Sequence, residues 1–409
     1  MSGKIRKAQD SLHYLLSKFP CVAVIGARQV GKTTLLKQLL PQAAFFDLEK
    51  QKDLERIRQD PEFFLSEQPK PIVIDEAQLY PELFSALRVC IDEHRNIPGQ
   101  FIISGSSSPE LLNNISESLA GRIAIFELGT LQFAEIFDSQ ISPFYTLLKE
   151  KKYRDILDIP SIKSDQSIYA PLISSAYPEP FLQKQDPQFV SIWMLNYFNT
   201  YINRDIRRLF PRLQIETYQR FIKMMAYASG QIINYSNFAR SLDVSQPTIK
   251  SYFHIAEGTF LWRSIPFFNQ NSTKRIVKMP KGYLRDPGLI SHLLNIRTIE
   301  DLKCHPQFGF IWESYIIEQL LKAFSTQLFK IDYSFYRTHH NAEIDLIIEF
   351  GAGPIPIEIK SGSLIKASQL ITLKSFMETY KSPIGFVINQ GETPCFLTSS
   401  IIQLPALYL

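Results

Sequence analysis

Cysteine is scarce in this chain, with four in 409 residues at positions 21, 90, 304 and 395. They stand far apart, which gives neither a zinc-ligand pattern nor a disulfide framework. That usage suits a reducing compartment, so the expectation is a cytoplasmic protein. Long apolar runs are missing too. None approaches the roughly 18 residues of a membrane span, and Met1–Lys7 leads into no apolar stretch of the signal-peptide kind. No membrane partner is expected. An excess of one charge is also lacking: 44 Lys and Arg face 40 Asp and Glu, a net of +4. That balance alone does not imply nucleic acid, although local patches can still be basic. There is no low-complexity tract and no internal repeat. What remains is ordinary globular composition, 45% hydrophobic and 21% charged, with length for about two to four domains.

The most informative segment is Gly26-Ala27-Arg28-Gln29-Val30-Gly31-Lys32-Thr33, which fits the phosphate-loop pattern G-x-x-x-x-G-K-[ST]. Its glycines let backbone N–H groups turn toward phosphates, Lys32 supplies charge to the β/γ-phosphates, and the Thr33 hydroxyl can ligate Mg²⁺. Cys21–Ile25 reads as a buried strand before it. Thr34–Leu40 reads as a helix after it, stopped by Pro41. The pattern therefore sets an anion at a helix N-terminus, with Gly26 through Thr34 as the expected nucleotide contacts and ATP with Mg²⁺ as the expected ligands.

Hydrolysis needs an acidic element as well. Pro71–Ile74 is an apolar run that delivers Asp75 and Glu76 to a strand end, where ligands sit in open α/β sheets. Asp75 suits the metal, and Glu76 suits a general base for water. A helix cap is the plainer use of the same pair. Ala44–Leu48, Phe101–Ile103 and Ile123–Leu128 complete an expected parallel five-stranded sheet covered on both faces. Ser104 and Ser106 end one strand and are γ-phosphate sensor candidates, with turn chemistry as the alternative. Arg122 is a candidate arginine finger, acting in its own subunit or a neighbour's, because a guanidinium matches phosphate oxygens and keeps its charge. A surface salt bridge is its alternative.

Further along, Asp138–Asp186 reads as a poorly regular connector. Gln188–Arg208 has helical apolar spacing and is expected to form a lid over the nucleotide. Arg204, Arg207 and Arg208 at its end either reach phosphates or form a solvated face. Asn234–Tyr252 reads as helix–turn–helix, with Asn234 or Ser236 capping the first helix and Ser245 the second. Thr259–Ile265 and Arg275–Met279 fit wing strands. Gln246, Thr248 and Lys250, with the basic stretch Lys274, Arg275, Lys278, Lys281 and Arg285, make DNA a possible partner. Packing or oligomer contact is the other use of such a module.

The last 120 or so residues carry a second signature. Trp312–Leu321 reads as an amphipathic helix bearing Glu313. Ala342–Glu349 and Pro356–Lys360 read as a hairpin bearing Asp345, Glu358 and Lys360. Glu358 and Lys360, two apart, share a strand face. Carboxylates grouped this way can bind a divalent metal beside which a lysine positions water. The arrangement Glu313…Asp345…Glu358-x-Lys360 resembles the PD-(D/E)XK nuclease superfamily. Many domains of that shape are inactive scaffolds, and alternating charge on an exposed strand gives the same letters without metal.

Taken together, nearly the whole chain resembles a family of prokaryotic AAA+-type ATPases with a C-terminal domain of unknown function. The matching strings include Gly26–Leu35, Ile74-Asp75-Glu76-Ala77-Gln78, Ser104-Gly105-Ser106 and Leu119-Ala120-Gly121-Arg122-Ile123. Tyr177-Pro178-Glu179-Pro180, Tyr201-Ile202-Asn203-Arg204-Asp205-Ile206, Lys281–Leu289 and Glu343-Ile344-Asp345…Ile357-Glu358-Ile359-Lys360 continue them. Pro287 departs from the family's usual Asp-Thr-Gly-Leu text. The resemblance implies an α/β fold: an AAA+-like P-loop core at 1–137, a connector and helical lid at 138–225, a winged helix at 226–285 and a nuclease-like domain at 286–409. It implies ATP binding and leaves three activities open: an ATPase that rearranges its own domains, an ATP-gated DNA-binding protein or nuclease, and a switch that binds a partner protein. Oligomers are compatible with each.

Overall fold

The computed structural model describes residues 4–106, 115, 117–269, 279–338, 341–351 and 353–409. Five parallel strands form the first sheet: β1 (Cys21–Gly26), β2 (Ala44–Asp47), β3 (Ile72–Asp75), β4 (Phe101–Ser106) and β5 (Ile123–Glu127), in the order β2-β3-β4-β1-β5. Side chains alternate across a strand, so β1 feeds two cores. Cys21, Ala23 and Ile25 pack on one face with Leu83, Phe84 and Leu87. Val22 and Val24 pack on the other with Leu12, Leu35 and Leu36. Every residue of β1 is buried, as a central strand covered on both faces requires. The fold expected from the sequence, an α/β P-loop sheet followed by further domains, is the one observed.

The helix Pro187–Thr200 continues without a break into a π-helical turn, Tyr201–Ile206. Its Trp193, Met194 and Tyr197 join the second core beside Val24 and Leu35. A short helix at Arg207–Leu209 ends this element, and three longer helices follow, Ile215–Ala228, Tyr235–Leu242 and Gln246–Gly258. Local chemistry explains their ends. The Asn234 side chain accepts from the Ser236 and Asn237 N–H groups, Asp243 turns the chain at φ +54°, and Ser245 accepts from Thr248 N–H. A small antiparallel sheet packs with them: β6 (Gln231–Ile232), β7 (Trp262–Ile265) and β8 (Lys281–Leu284), ordered β6-β8-β7. Of the second expected wing strand, residues 275–278 lie outside the described residues, and the strand that pairs with β7 is Lys281–Leu284.

Six strands make the last sheet: β9 (Asp332–Arg337), β10 (Glu343–Glu349), β11 (Ile355–Ile359), β12 (Gly385–Asn389), β13 (Cys395–Thr398) and β14 (Ile401–Pro405). Their order is β13-β14-β12-β11-β10-β9. β9, β10 and β11 are antiparallel, and the helix Ile371–Tyr380 crosses from β11 to the parallel β12. The helix Phe308–Thr326 precedes this sheet. It was expected to be amphipathic, yet every residue from Ile311 to Phe324 is buried. Partners on all sides explain this. The Gln319 side chain accepts from Phe133 N–H at 2.8 Å, and Tyr315 meets the Phe133 ring edge-to-face.

The connector is also more ordered than its composition suggested. It holds short helices at Phe144–Lys149, Ala170–Ser174 and Pro178–Leu182. Ser142 donates to the Tyr408 carbonyl at 2.6 Å, Ile162 N–H donates to Leu407, and Phe144 packs against Phe386. The stretch from Leu131 to Leu409 thus shares one continuous core. Within it, Gly282 lies under the Trp262 indole, where a Cβ would come within 2.0 Å of a ring carbon. Gly282→Ala is expected to destabilise the chain by about 1–3 kcal/mol through overpacking, read as a lower urea midpoint. An unchanged midpoint would mean that the indole yields freely.

Candidate functional site

The carboxyl ends of β1, β3 and β4 assemble the phosphate loop and its acidic partners. Gly26 allows a close approach, because a Cβ there would lie 2.2 Å from the Leu128 carbonyl oxygen. Gly31 adopts φ +93°, a left-handed conformation natural to glycine, at the cap of the helix Lys32–Leu39. Lys32 is buried and donates to the Gly26 and Ala27 carbonyls at 3.0 and 2.9 Å. Burial pushes its ammonium pKa down, while the nearby Glu76 and Asp75 carboxylates oppose that shift. Thr33 Oγ1 donates to Asp75 Oδ2 at 2.5 Å, and Ser104 Oγ donates to Asp75 Oδ1 at 2.5 Å. Ser106 Oγ donates to Glu76 Oε2 at 3.1 Å, and the Gln78 amide donates to the same carboxylate and to Ser106. A hydroxyl and a carboxylate converging at Thr33 and Asp75 are the hard oxygen donors that Mg²⁺ takes, so these residues fit that ion.

Two supports of the loop were not singled out from the sequence. Arg6 donates to the Val30 carbonyl at 2.6 Å, to the Gly129 carbonyl at 2.8 Å and to Glu135 at 3.0 Å. Nothing local marks it, since its partners lie far along the chain. Asp205, in the π-helical turn, accepts from Arg28 at 2.6 Å, and Arg204 donates to Glu49 at 3.0 Å. The helix Pro187–Thr200 and its π-helical turn therefore end against the phosphate loop. Gln78 could have been noticed two residues after Glu76.

Arg122 lies elsewhere. It precedes β5, whose Ile123 pairs with Cys21 at the amino end of β1, whereas the phosphate loop leaves the carboxyl end. Five residues of strand separate the two ends, about 16 Å. Its guanidinium makes a two-pronged pair with Asp92, at 2.7 and 2.8 Å. In this structure Arg122 thus stands away from its own phosphate loop and makes the surface salt bridge that was its alternative role.

A charge network joins the β5 edge of this sheet, at its carboxyl end, to the rest of the chain. Glu127 at the end of β5 pairs with Arg285 and, at 3.5 Å, with Arg263 of β7. Both arginines also pair with Glu318 of the buried helix Phe308–Thr326. Burial alone would raise the Glu318 carboxyl, but Arg263 and Arg285 outweigh it and hold it at about 2. Arg285 is thus committed to Glu127 and Glu318, while Lys281 is buried. Lys274, Arg275 and Lys278 lie outside the described residues.

The C-terminal residues singled out from the sequence do come together. Glu313, Asp345, Glu358 and Lys360 all act on one another electrostatically. Burial and mutual repulsion raise both the Glu313 and Glu358 carboxyls above the usual range. Asp345 Oδ2 accepts from Ile359 N–H at 2.8 Å. Sequence reasoning missed the residue at the centre, Lys281 of β8. Its ammonium lies 2.6 Å from Glu313 Oε1 and 3.5 Å from Asp345 Oδ1, and it also bonds Glu343. That cation fills the space a metal would need, so a divalent metal does not fit this cluster as it stands. Among the described residues no group of three or more His, Cys, Asp or Glu side chains is placed to hold one.

The fold and phosphate site define a P-loop ATPase of the AAA type, and comparison with known proteins agrees. An AAA domain matches residues 18–137, and two domains of unknown function, DUF8612 and DUF4143, match residues 166–300 and 308–408. The chain belongs to the same family as the uncharacterized proteins Rv2008c of Mycobacterium tuberculosis and Mb2031c of Mycobacterium bovis. Each is 30% identical over 403 residues, covering 98% of this chain and 83% of the relative. Similar solved structures include the Walker-type ATPase PABY2304 of Pyrococcus abyssi, at 15% identity and TM-score 0.43 over 71% of this chain and 95% of that one. The STAND-type signal transduction ATPase PH0952 of Pyrococcus horikoshii has 15% identity and TM-score 0.24, over 80% and 48%. Among the described residues no helix is long and apolar enough to cross a membrane.

Glu318 gives this network a pH signature. Its folded pKa lies below its unfolded one, so its stabilisation is present above the ordinary 4.5 and is lost as pH falls toward about 2. Wild type is expected to lose on the order of 3 kcal/mol more than Glu318→Gln across that interval, measured by urea unfolding at stepped pH. Parallel curves for the two proteins would refute the assignment.

Proposed function

We propose that this chain is a Mg²⁺-dependent ATP hydrolase whose nucleotide state moves the lid helix and the modules behind it. The observation that carries this is the convergence of Lys32, Thr33, Asp75 and Glu76 on one sheet edge, each already held by a polar partner. Thr33 and Asp75 would hold Mg²⁺, which supplies charge neutralisation at the β/γ-phosphate oxygens. Lys32 exchanges two loop carbonyls for phosphate oxygens, a stronger charge-assisted pairing. Glu76 orients and deprotonates the attacking water, and Ser106 with Gln78 aims its carboxylate. Ser104 keeps Asp75 in register and senses the γ-phosphate only indirectly. Arg122 serves a neighbouring subunit, which makes an oligomer part of this reading.

The lid responds through Arg28. A phosphate near Arg28 competes with Asp205 for the guanidinium, so binding loosens or reseats the π-helical turn. Movement there reaches the three-helix module, which we read as a winged helix. The C-terminal sheet, with its helix, three antiparallel strands, crossing helix and parallel strand, supports a nuclease-like fold. With Lys281 in place that domain has no metal-dependent step, so it serves as a scaffold that docks a partner protein.

Two variants test the hydrolytic reading. Lys32→Ala is expected to abolish both ATP-induced thermal stabilisation and hydrolysis. Glu76→Gln is expected to retain the stabilisation while turnover falls about 100-fold or more, the range for loss of a general base. Equal hydrolysis by wild type and Lys32→Ala would overturn the mechanism. ATP binding by wild type with no turnover would instead leave a nucleotide switch.

A further inference from the structure

The cluster at Glu313, Glu343, Asp345 and Glu358 is built around a cation that the protein supplies itself. Lys281 is 2% exposed. It reaches the cluster from a different sheet, with its backbone held between Ile232 of β6 and Ile265 of β7. Tyr283, two residues on, donates to Glu313 at 2.5 Å. Lys360 pairs with Glu358, and Arg337 stands 3.9 Å from Glu343. Three cationic side chains thus face four carboxylates, and each carboxylate has a protein partner.

We infer that this cluster is an ionic clasp, filled by the Lys281 ammonium, which fastens the β6–β8 sheet to the C-terminal domain and excludes divalent metal. A divalent ion needs several oxygens at about 2.0–2.6 Å. Lys281 Nζ already sits 2.6 Å from one of those oxygens, and two cations cannot share the position. The lysine is kept in the cluster by its burial and its three carboxylate partners, on a strand paired on both sides. The carboxylates are therefore held by their pairing with Lys281 and not as a ligand set, since among the described residues no three acids are placed around one metal position. The clasp stands independently of the ATPase reading.

The test uses Mn²⁺ and the full chain in a Thr33→Ala, Asp75→Asn background, which removes the phosphate-loop metal ligands. With Lys281 intact, calorimetry and electron paramagnetic resonance are expected to find no saturable Mn²⁺ site at millimolar ion. Lys281→Met, which keeps the apolar stem, is expected to lower the urea midpoint and to gain no Mn²⁺ site, and Asp345→Asn is expected to lower the midpoint markedly less in that background than in the parent. A saturable site in the parent that Asp345→Asn abolishes would overturn the clasp without relying on the Lys281 variant. So would equal midpoint losses from Asp345→Asn with and without Lys281.

Discussion

Glu318 sits within the buried stretch Ile311–Phe324 of the helix Phe308–Thr326, and a carboxylate there is tolerable only if its charge is answered. Arg263 and Arg285 answer it, and both reach on to Glu127 at the end of β5. One ion-pair network, buried at Glu318 and partly exposed at Glu127, therefore ties three parts together: the nucleotide sheet, the small sheet and the C-terminal helix. Leu128, the next residue after Glu127, gives the carbonyl against which Gly26 of the phosphate loop packs. The ion network and the nucleotide loop are thus separated by a single turn of backbone.

The same logic recurs at Lys281. Both sites bring a basic residue of the small sheet against acids of the C-terminal domain, and both are buried. Apolar packing alone would hold these surfaces together without fixing their register. Buried ion pairs add a penalty for every misaligned arrangement, because a displaced strand leaves charges unanswered. The shared core from Leu131 to Leu409 then follows as one body.

Much of the nucleotide half was legible in the sequence. The strands at Cys21, Ile72, Phe101 and Ile123 are β-branched or aromatic runs that reveal themselves without partners. Phosphate-loop and acidic residues lie at strand ends, where short-range pattern and three-dimensional position coincide. The caps at Asn234 and Ser245 were legible for the same reason. Less was legible where burial depends on distant partners. The helix Phe308–Thr326 reads as two-faced because Glu313, Glu318 and Lys322 look like a solvated side. The connector at Asp138–Asp186 reads as irregular because its docking partners, such as Tyr408 and Phe386, lie more than two hundred residues away.

By itself the sequence determined the α/β class, the phosphate loop, the acidic pair at Asp75 and Glu76, and which C-terminal acids would cluster. Each depends on spacing within a few residues. Tertiary structure alone decided that Arg122 lies at the strand end opposite its own phosphate loop, that Arg285 and the buried Lys281 pair with carboxylates, and that the C-terminal acids already hold a cation. A lysine in a strand has the same letter whether it meets solvent or three carboxylates. What distinguishes the two is the desolvation of its charge, and that is fixed by residues distant in the chain.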